Sequence, residues 1–109
     1  MTWNLFLDDI RNPKIDPPDG GRWVIARSYA DAIHFITYMG MPKYVSFDHD
    51  LGDSGEDTGY DLAKWFVKED LDGLRKLPKD FSFNVHSANP VGAKNIQTIL
   101  DNYLKFREK

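Results

Sequence analysis

Acidic and histidine side chains are grouped at three places along this chain. The three groups are Asp8-Asp9, Asp48-His49-Asp50 and His86-Ser87-Ala88-Asn89. Carboxylates that converge without a lysine partner repel one another, and a hard cation such as Mg²⁺ removes that repulsion because it binds carboxylate and phosphate oxygens together. Histidine exchanges protons near neutral pH. These residue types indicate a metal-assisted site for acid–base chemistry on a phosphate.

Four aspartates are the candidate metal ligands. We expect Asp9 and Asp48 to bind Mg²⁺ directly and Asp8 to act through water, and Asp50 is the fourth candidate because it belongs to the second group. The alternative is a set of solvated or capping aspartates that bind no metal. The further acidic residues of segment 53–57 are expected to form a solvated loop, since their spacing does not match a calcium-binding EF-hand.

Two histidines and three polar residues are the candidates for catalysis and phosphate binding. His49 lies between two aspartates and is assigned as general acid. His86 is assigned as general base or phosphate contact, and its ring is expected to point toward a phosphate at the start of the helix that follows. Ser87 and Asn89 precede a predicted helix whose free N–H groups suit a phosphate, although capping that helix is a competing role. Arg11 is the nearest cation that could grip a phosphate with two hydrogen bonds, and the alternative is an ordinary surface residue.

The composition limits the class of protein. With 109 residues and a net charge of −3, the chain fits a single domain over 1–109 and lacks the basic excess of a duplex nucleic-acid binder. Without cysteine it has no disulfide, thiol nucleophile or cysteine-ligated metal. No apolar run approaches the ~20 residues of a membrane span, and no leader pattern is visible. We therefore expect a cytoplasmic protein.

The elements that must position these residues alternate along the chain. Apolar runs predict strands over 2–8, 22–27 and 44–47, and the alternation of apolar and polar residues predicts a fourth strand over 81–85 with one polar face. Capping patterns predict helices that begin after Ser28, Thr58 and Asn89. The prolines and glycines of segment 11–21 exclude a regular helix there. Such alternation predicts a mainly parallel sheet, and ligands bind such sheets at the carboxyl ends of the strands, where all three groups lie.

The same layout resembles response-regulator receiver domains. These domains have an acidic pair after the first strand, an Asp after the third and a Ser/Thr-Ala pair after the fourth, which correspond to Asp8-Asp9, Asp48 and Ser87-Ala88. Here, however, a Pro-rich loop replaces the first crossover helix, and the fifth strand with its essential lysine is missing. His49 and His86 also stand where ordinary receivers have no histidine.

With these departures, the chain is similar to a narrower family, the cyclic-phosphate-processing receiver domains of phages and bacterial conflict systems. The similarity is carried by the motifs Leu7-Asp8-Asp9-Ile10-Arg11, Phe47-Asp48-His49-Asp50-Leu51-Gly52, Thr58-Gly59-Tyr60-Asp61 and Val85-His86-Ser87-Ala88-Asn89-Pro90. The resemblance implies action on cyclic phosphates or related nucleotides, in the host cytoplasm if the chain is phage-encoded. We expect a receiver-like (flavodoxin-like) three-layer α/β sandwich with strand order 2-1-3-4.

Two functional hypotheses stay open at this point. As an enzyme, the protein would hydrolyse a cyclic phosphate or cyclic nucleotide with Mg²⁺ and the two histidines. As a binding module, it would hold a nucleotide signal or a protein partner without turnover. Signalling by phosphorylation is disfavoured because the coupling lysine has no counterpart, and the Asp48-x-Asp50 motif of haloacid-dehalogenase phosphatases belongs on the first strand of a longer chain. Neither hypothesis involves a membrane or duplex nucleic acid, and the oligomeric state is left open.

Overall fold

Four strands and three helices alternate along the chain in the computed structural model, which describes residues 2–51 and 57–108. The strands are β1 (Asn4–Leu7), β2 (Trp23–Ala26), β3 (Tyr44–Phe47) and β4 (Ser82–Val85). The helices are α1 (Tyr29–Met39), α2 (Gly59–Asp72) and α3 (Pro90–Arg107). Of the acidic loop, Asp53 and Glu56 lie outside the described residues, whereas Asp57 is described and exposed.

The strands form one parallel sheet in the order β2-β1-β3-β4, which confirms the predicted fold class and strand order. All four residues of β1 are buried, as expected of a central strand with neighbours on both sides. On β4, Ser82 and Asn84 are exposed while Phe83 and Val85 are partly buried. That alternation suits the sheet edge at which β4 lies.

The helices begin where their capping residues predict. The Ser28 hydroxyl accepts a hydrogen bond from the Asp31 N–H at 3.0 Å, and Thr58 and Asp61 cap one another's backbone reciprocally. Asn89 caps α3 in the same manner. Within the described residues, none of the helices combines the length and the apolar character that crossing a membrane requires.

All three helices pack on one face of the sheet. A single apolar core joins residues from each helix to alternate positions of the strands, among them Leu5 and Leu7 of β1 and Val45 and Phe47 of β3. Phe6 is also buried but stands outside this core, because successive side chains of a strand point to opposite faces. The sandwich therefore has helices as its first layer and the sheet as its second.

The third layer is the Pro-rich loop rather than a helix. The loop runs from β1 to β2 over the sheet face opposite the helices, which we call the loop face. The indole N–H of Trp23 donates to the carbonyl of Ile15 at 2.8 Å. The Arg27 guanidinium donates to the carbonyl of Arg11 at 2.6 Å and to Oδ1 of Asn12 at 2.5 Å. These contacts from β2 and the residue after it hold the loop against the sheet.

Candidate metal and phosphate centre

Three carboxylates lie together at the carboxyl ends of β1 and β3. Asp8, Asp9 and Asp48, which we call the carboxylate group, each offer one oxygen within 4.8 Å of the others. Asp8 and Asp48 are buried and Asp9 is partly buried. The parallel ladder continues one step beyond the strands, since the Asp48 N–H donates to the Leu7 carbonyl at 2.9 Å. Adjacent strand ends thus bring together residues that are 40 positions apart in the sequence.

Asp8 already uses both of its carboxylate oxygens. Its Oδ1 accepts hydrogen bonds from the backbone N–H groups of Ile10 at 3.0 Å and Arg11 at 2.8 Å. Its Oδ2 lies 2.9 Å from His86 Nε2 and 2.9 Å from Arg11 Nε. Burial alone would raise the pKa of Asp8, but these hydrogen bonds and the guanidinium charge lower it overall. Asp8 therefore serves first to fix the turn that follows β1.

Arg11 bridges two members of the carboxylate group. Besides its contact with Asp8, its guanidinium Nη2 lies 3.4 Å from Oδ1 of Asp48. Its side chain is 45% exposed, so the guanidinium is still open to solvent on one side. The cation predicted from the sequence to bind phosphate thus sits against the carboxylates and offsets part of their mutual repulsion.

His86 is built into the loop face rather than aimed at the start of α3, which corrects the expectation that its ring points to that helix end. Its Nδ1 lies 2.7 Å from the Ser46 hydroxyl and its Nε2 contacts Asp8. The ring also stacks on Phe6, with centroids 4.6 Å apart and planes inclined by 7°. With a proton on Nε2, the ring donates to Asp8 and accepts from Ser46. Ser46 was missed by sequence reasoning, although a polar residue inside an apolar strand was a usable signal.

His49 lies on the opposite side of the strand ends. Its Nδ1 is 2.8 Å from Oδ1 of Asp50, and its ring packs against Gly92 in the first turn of α3 so closely that a Cβ on that glycine would overlap it. Among the described residues, His49 and His86 share no hydrogen-bond partner. The structure does not bring the two predicted catalytic histidines into one contact.

Asp50 stands apart from the carboxylate group. Its side chain is 62% exposed, and besides His49 it faces the Asn89 amide nitrogen at 3.4 Å. The hydrogen bond from His49 lowers the pKa of Asp50. Within the described part of the chain, the cluster that could hold a cation contains Asp8 but not Asp50. Asp50 instead orients His49.

Ser87 and Asn89 form the turn before α3. The Ser87 hydroxyl oxygen accepts the Asn89 N–H at 3.1 Å, and Asn89 Oδ1 accepts the Gly92 N–H at 2.9 Å. The capping role of Asn89 is therefore the one that the structure displays. Among residues 2–51 and 57–108 the Ser87 hydroxyl donates to no acceptor, because the turn uses only a lone pair of that oxygen.

Two further residues hold the centre in place. Arg27 donates to the backbone carbonyl of Asp8 at 3.3 Å as well as to the loop, so it ties the end of β2 to the end of β1. Gly59, whose N–H donates to the carbonyl of His49 at 2.9 Å, leaves no room for a side chain, because a Cβ there would overlap the carbonyl oxygen of Asp48. Gly59 belongs to one of the sequence motifs that carry the family resemblance, whereas Arg27 was missed by sequence reasoning because no local pattern marks it.

The donor set fits a hard divalent cation. Mg²⁺ takes carboxylate oxygens and keeps several waters or phosphate oxygens as further ligands. Asp9 accepts no hydrogen bond within residues 2–51 and 57–108, and the side-chain contact of Asp48 there is the long one with Arg11. Asp9 and Asp48 therefore have oxygens to offer, whereas those of Asp8 are engaged.

Comparison with known proteins adds one match. The family model described as "Cyclic-phosphate processing Receiver domain" matches residues 3–102, which include all four strands and every candidate residue described above. Searches of the curated proteins and of the solved structures each returned no significant match.

Proposed function

Because the chain belongs to the cyclic-phosphate processing receiver domain family, we propose that it hydrolyses a cyclic phosphate at the carboxyl edge of its sheet. The observation that carries the proposal is the grouping of Asp8, Asp9 and Asp48 with a half-exposed guanidinium and an imidazole. A phosphodiester needs positive charge on its oxygens and groups that move protons, and this edge offers both.

Asp9 and Asp48 are the residues that would hold Mg²⁺. When bound, the cation supplies positive charge that stabilises the phosphate oxygens as negative charge develops on them. Asp8 acts as a positioning residue: it orients His86 and fixes the backbone of Arg11 through hydrogen bonds. These roles follow from the hydrogen bonds: the carboxylate oxygens of Asp8 are engaged, whereas those of Asp9 and Asp48 can bind a cation.

The proton transfers are assigned to the histidines. In hydrolysis, a bond forms between water oxygen and phosphorus, and one ester P–O bond of the ring breaks. Since Nε2 of His86 faces Asp8, its Nδ1 would take the proton of the attacking water through the Ser46 hydroxyl. His49, held by Asp50 through Nδ1, would supply a proton from Nε2 to the departing oxygen.

The phosphate itself would contact Arg11 and Ser87. The guanidinium has five N–H donors, and its contacts with Asp8 and Asp48 leave some of them for a ligand. Ser87 adds a hydroxyl donor at the start of α3. Both residues belong to the carboxyl edge of the sheet, where ligands of parallel α/β folds bind.

A second candidate function is binding without turnover. The separation of His49 and His86 on opposite sides of the strand ends favours it, because acid and base must both reach one substrate. In that case the same edge would hold a cyclic nucleotide or a related signal and release it unchanged.

The two functions are separated by a search for products. The full chain is incubated with a panel of 2′,3′- and 3′,5′-cyclic nucleotides in Mg²⁺ or in EDTA, and products are followed by phosphorus NMR. We expect ring opening of at least one compound in Mg²⁺ and none in EDTA. Binding of a panel member without any product would contradict hydrolysis and favour the binding module.

A further inference from the structure

The loop face continues from the carboxylate group toward the opposite end of the sheet. Register pairs Phe6 of β1 with Ser46 of β3, and Ser46 with Asn84 of β4. Two positions further along the same face come the strand-end residues Asp8, Asp48 and His86. The carboxylate group and the row of residues beside it are therefore neighbours on one surface.

A cavity of about 480 Å³ lies between this surface and the Pro-rich loop. Its volume is within the range of roughly 300–1,000 Å³ that is typical of small-molecule sites. The lining comprises residues of the loop, three aromatic rings and a polar strip from β3 and β4, namely Arg11, Asn12, Pro13, Lys14, Ile15, Asp16, Pro18, Phe6, Trp23, Tyr44, Ser46, Asn84 and His86. The contacts of Trp23 and Arg27 with the loop keep the cavity walls together.

The lining combines flat apolar walls with a hydrogen-bonding edge. Phe6 and Trp23 meet edge to face at 5.5 Å, and Trp23 and Tyr44 are 5.8 Å apart. On β4, the Asn84 amide is exposed and makes no hydrogen bond to any residue that the structure describes. A side-chain amide offers a donor and an acceptor side by side, which is the pattern that the edge of a nucleobase complements.

Arg11 and His86 connect the cavity to the carboxylate group. Both residues line the cavity, and both contact Asp8. If the phosphate of a ligand lies at Arg11, the cavity is the adjacent enclosed space that can hold the rest of the ligand. We propose that this cavity binds the nucleobase of a mononucleotide whose phosphate occupies the carboxyl edge. This inference rests on the proposed function for the position of the phosphate and names the substrate class as a base-bearing cyclic phosphate.

The test compares ligands with and without a base. Adenosine 2′,3′-cyclic monophosphate, glycerol 1,2-cyclic phosphate and adenosine are titrated into the full chain in EDTA, where metal-dependent turnover does not consume them. The readout is the NMR signal of the Trp23 indole N–H. We expect the cyclic nucleotide to bind about tenfold or more tightly than the base-free compound and to shift this signal, since stacking on aromatic rings contributes that much.

Asn84→Ala and Ser82→Ala form a matched pair on the exposed side of β4, because Ser82 shares the strand and face but does not line the cavity. Asn84→Ala should lower the affinity for both adenosine compounds about five- to tenfold and leave the affinity for glycerol cyclic phosphate unchanged. Ser82→Ala should leave all three affinities unchanged.

The outcomes separate this inference from the proposed function. If adenosine shifts the Trp23 signal and none of the cyclic phosphates is hydrolysed, the base site is supported and the proposed hydrolysis is contradicted. If both cyclic phosphates are hydrolysed, bind with equal affinity and leave the Trp23 signal unchanged, the proposed hydrolysis is supported and the base site is overturned.

Discussion

Nε2 of His86 lies 2.9 Å from Oδ2 of Asp8, and the two residues are 78 positions apart in the sequence. This contact joins the end of the edge strand β4 to the end of the central strand β1. It is reinforced by the hydrogen bonds that hold Asp8 to the turn after β1 and by the stacking of His86 on Phe6. The stability of the sheet edge and the geometry of the site therefore depend on the same pair.

The first prediction concerns the acid stability of this pair. The pKa of Asp8 in the folded protein lies below the ordinary aspartate value of 3.8, so the stabilisation that Asp8 contributes is fully present above pH 3.8 and is lost as the pH falls through the folded pKa. Asp8→Asn should lower the free energy of unfolding at pH 7, and the deficit relative to wild type should shrink as the pH falls below 3.8. Urea unfolding at several pH values measures this, and a deficit that does not change with pH would contradict it.

Removing the charge of Arg11 should change the affinity for Mg²⁺ and the affinity for a cyclic phosphate in opposite directions. Its guanidinium faces Asp8 and Asp48, so Arg11→Gln removes a charge that competes with a divalent cation. We expect the Mg²⁺ affinity of the variant to rise and its affinity for a cyclic phosphate to fall, each by about tenfold. Calorimetric titration with each ligand checks the two signs. Two changes in the same direction would mean that Arg11 does not connect the sites.

The histidine variants should differ in stability as well as in turnover. Removing either general acid or general base typically lowers turnover about 10²–10⁴-fold. His86→Ala should also destabilise the fold by about 1–3 kcal/mol, because it removes the hydrogen-bond partner of the buried Ser46 hydroxyl and one of the partners of buried Asp8. His49→Ala should be milder, since Asp50 is exposed. Full turnover by the His86 variant on a confirmed substrate would make the base assignment wrong.

Two glycines at helix starts should not tolerate alanine. In a helix interior, Gly→Ala usually stabilises by roughly 1 kcal/mol. Here the sign should reverse, because a Cβ on Gly92 would overlap the His49 ring and one on Gly59 would overlap the carbonyl oxygen of Asp48. We expect losses of about 1–3 kcal/mol, larger at Gly59 since backbone yields less than a side chain. Thermal unfolding measures both, and stabilisation of either variant would show that the close approach is not present.

The fold could be predicted from the sequence because its signals are local. The uniform burial of β1, the alternation of β4 and the three capping residues follow from apolar period and side-chain chemistry. The meeting of Asp8 and Asp48 follows from parallel strand ends. These features need no knowledge of distant contacts.

The orientation of the histidines could not be predicted in the same way. Which face a residue presents just beyond a strand depends on how far the ladder continues, and this is decided by pairing with other strands. The path of the Pro-rich loop likewise depends on distant donors, Trp23 and Arg27, and no periodicity within the loop specifies it. The cavity on the loop face was therefore invisible in the sequence.

The Mg²⁺ dependence of the hydrolysis rate tests the central claim, that the carboxylate group supports turnover of a cyclic phosphate. Initial rates are measured against Mg²⁺ concentration for wild type, Asp48→Asn and Asp80→Asn, where exposed Asp80 pairs with Lys43 near the amino-terminal end of the sheet and serves as the control. Asp48→Asn should raise the Mg²⁺ concentration for half-maximal rate by about tenfold or more, and Asp80→Asn should leave it unchanged. An unchanged Mg²⁺ dependence in Asp48→Asn would contradict the account.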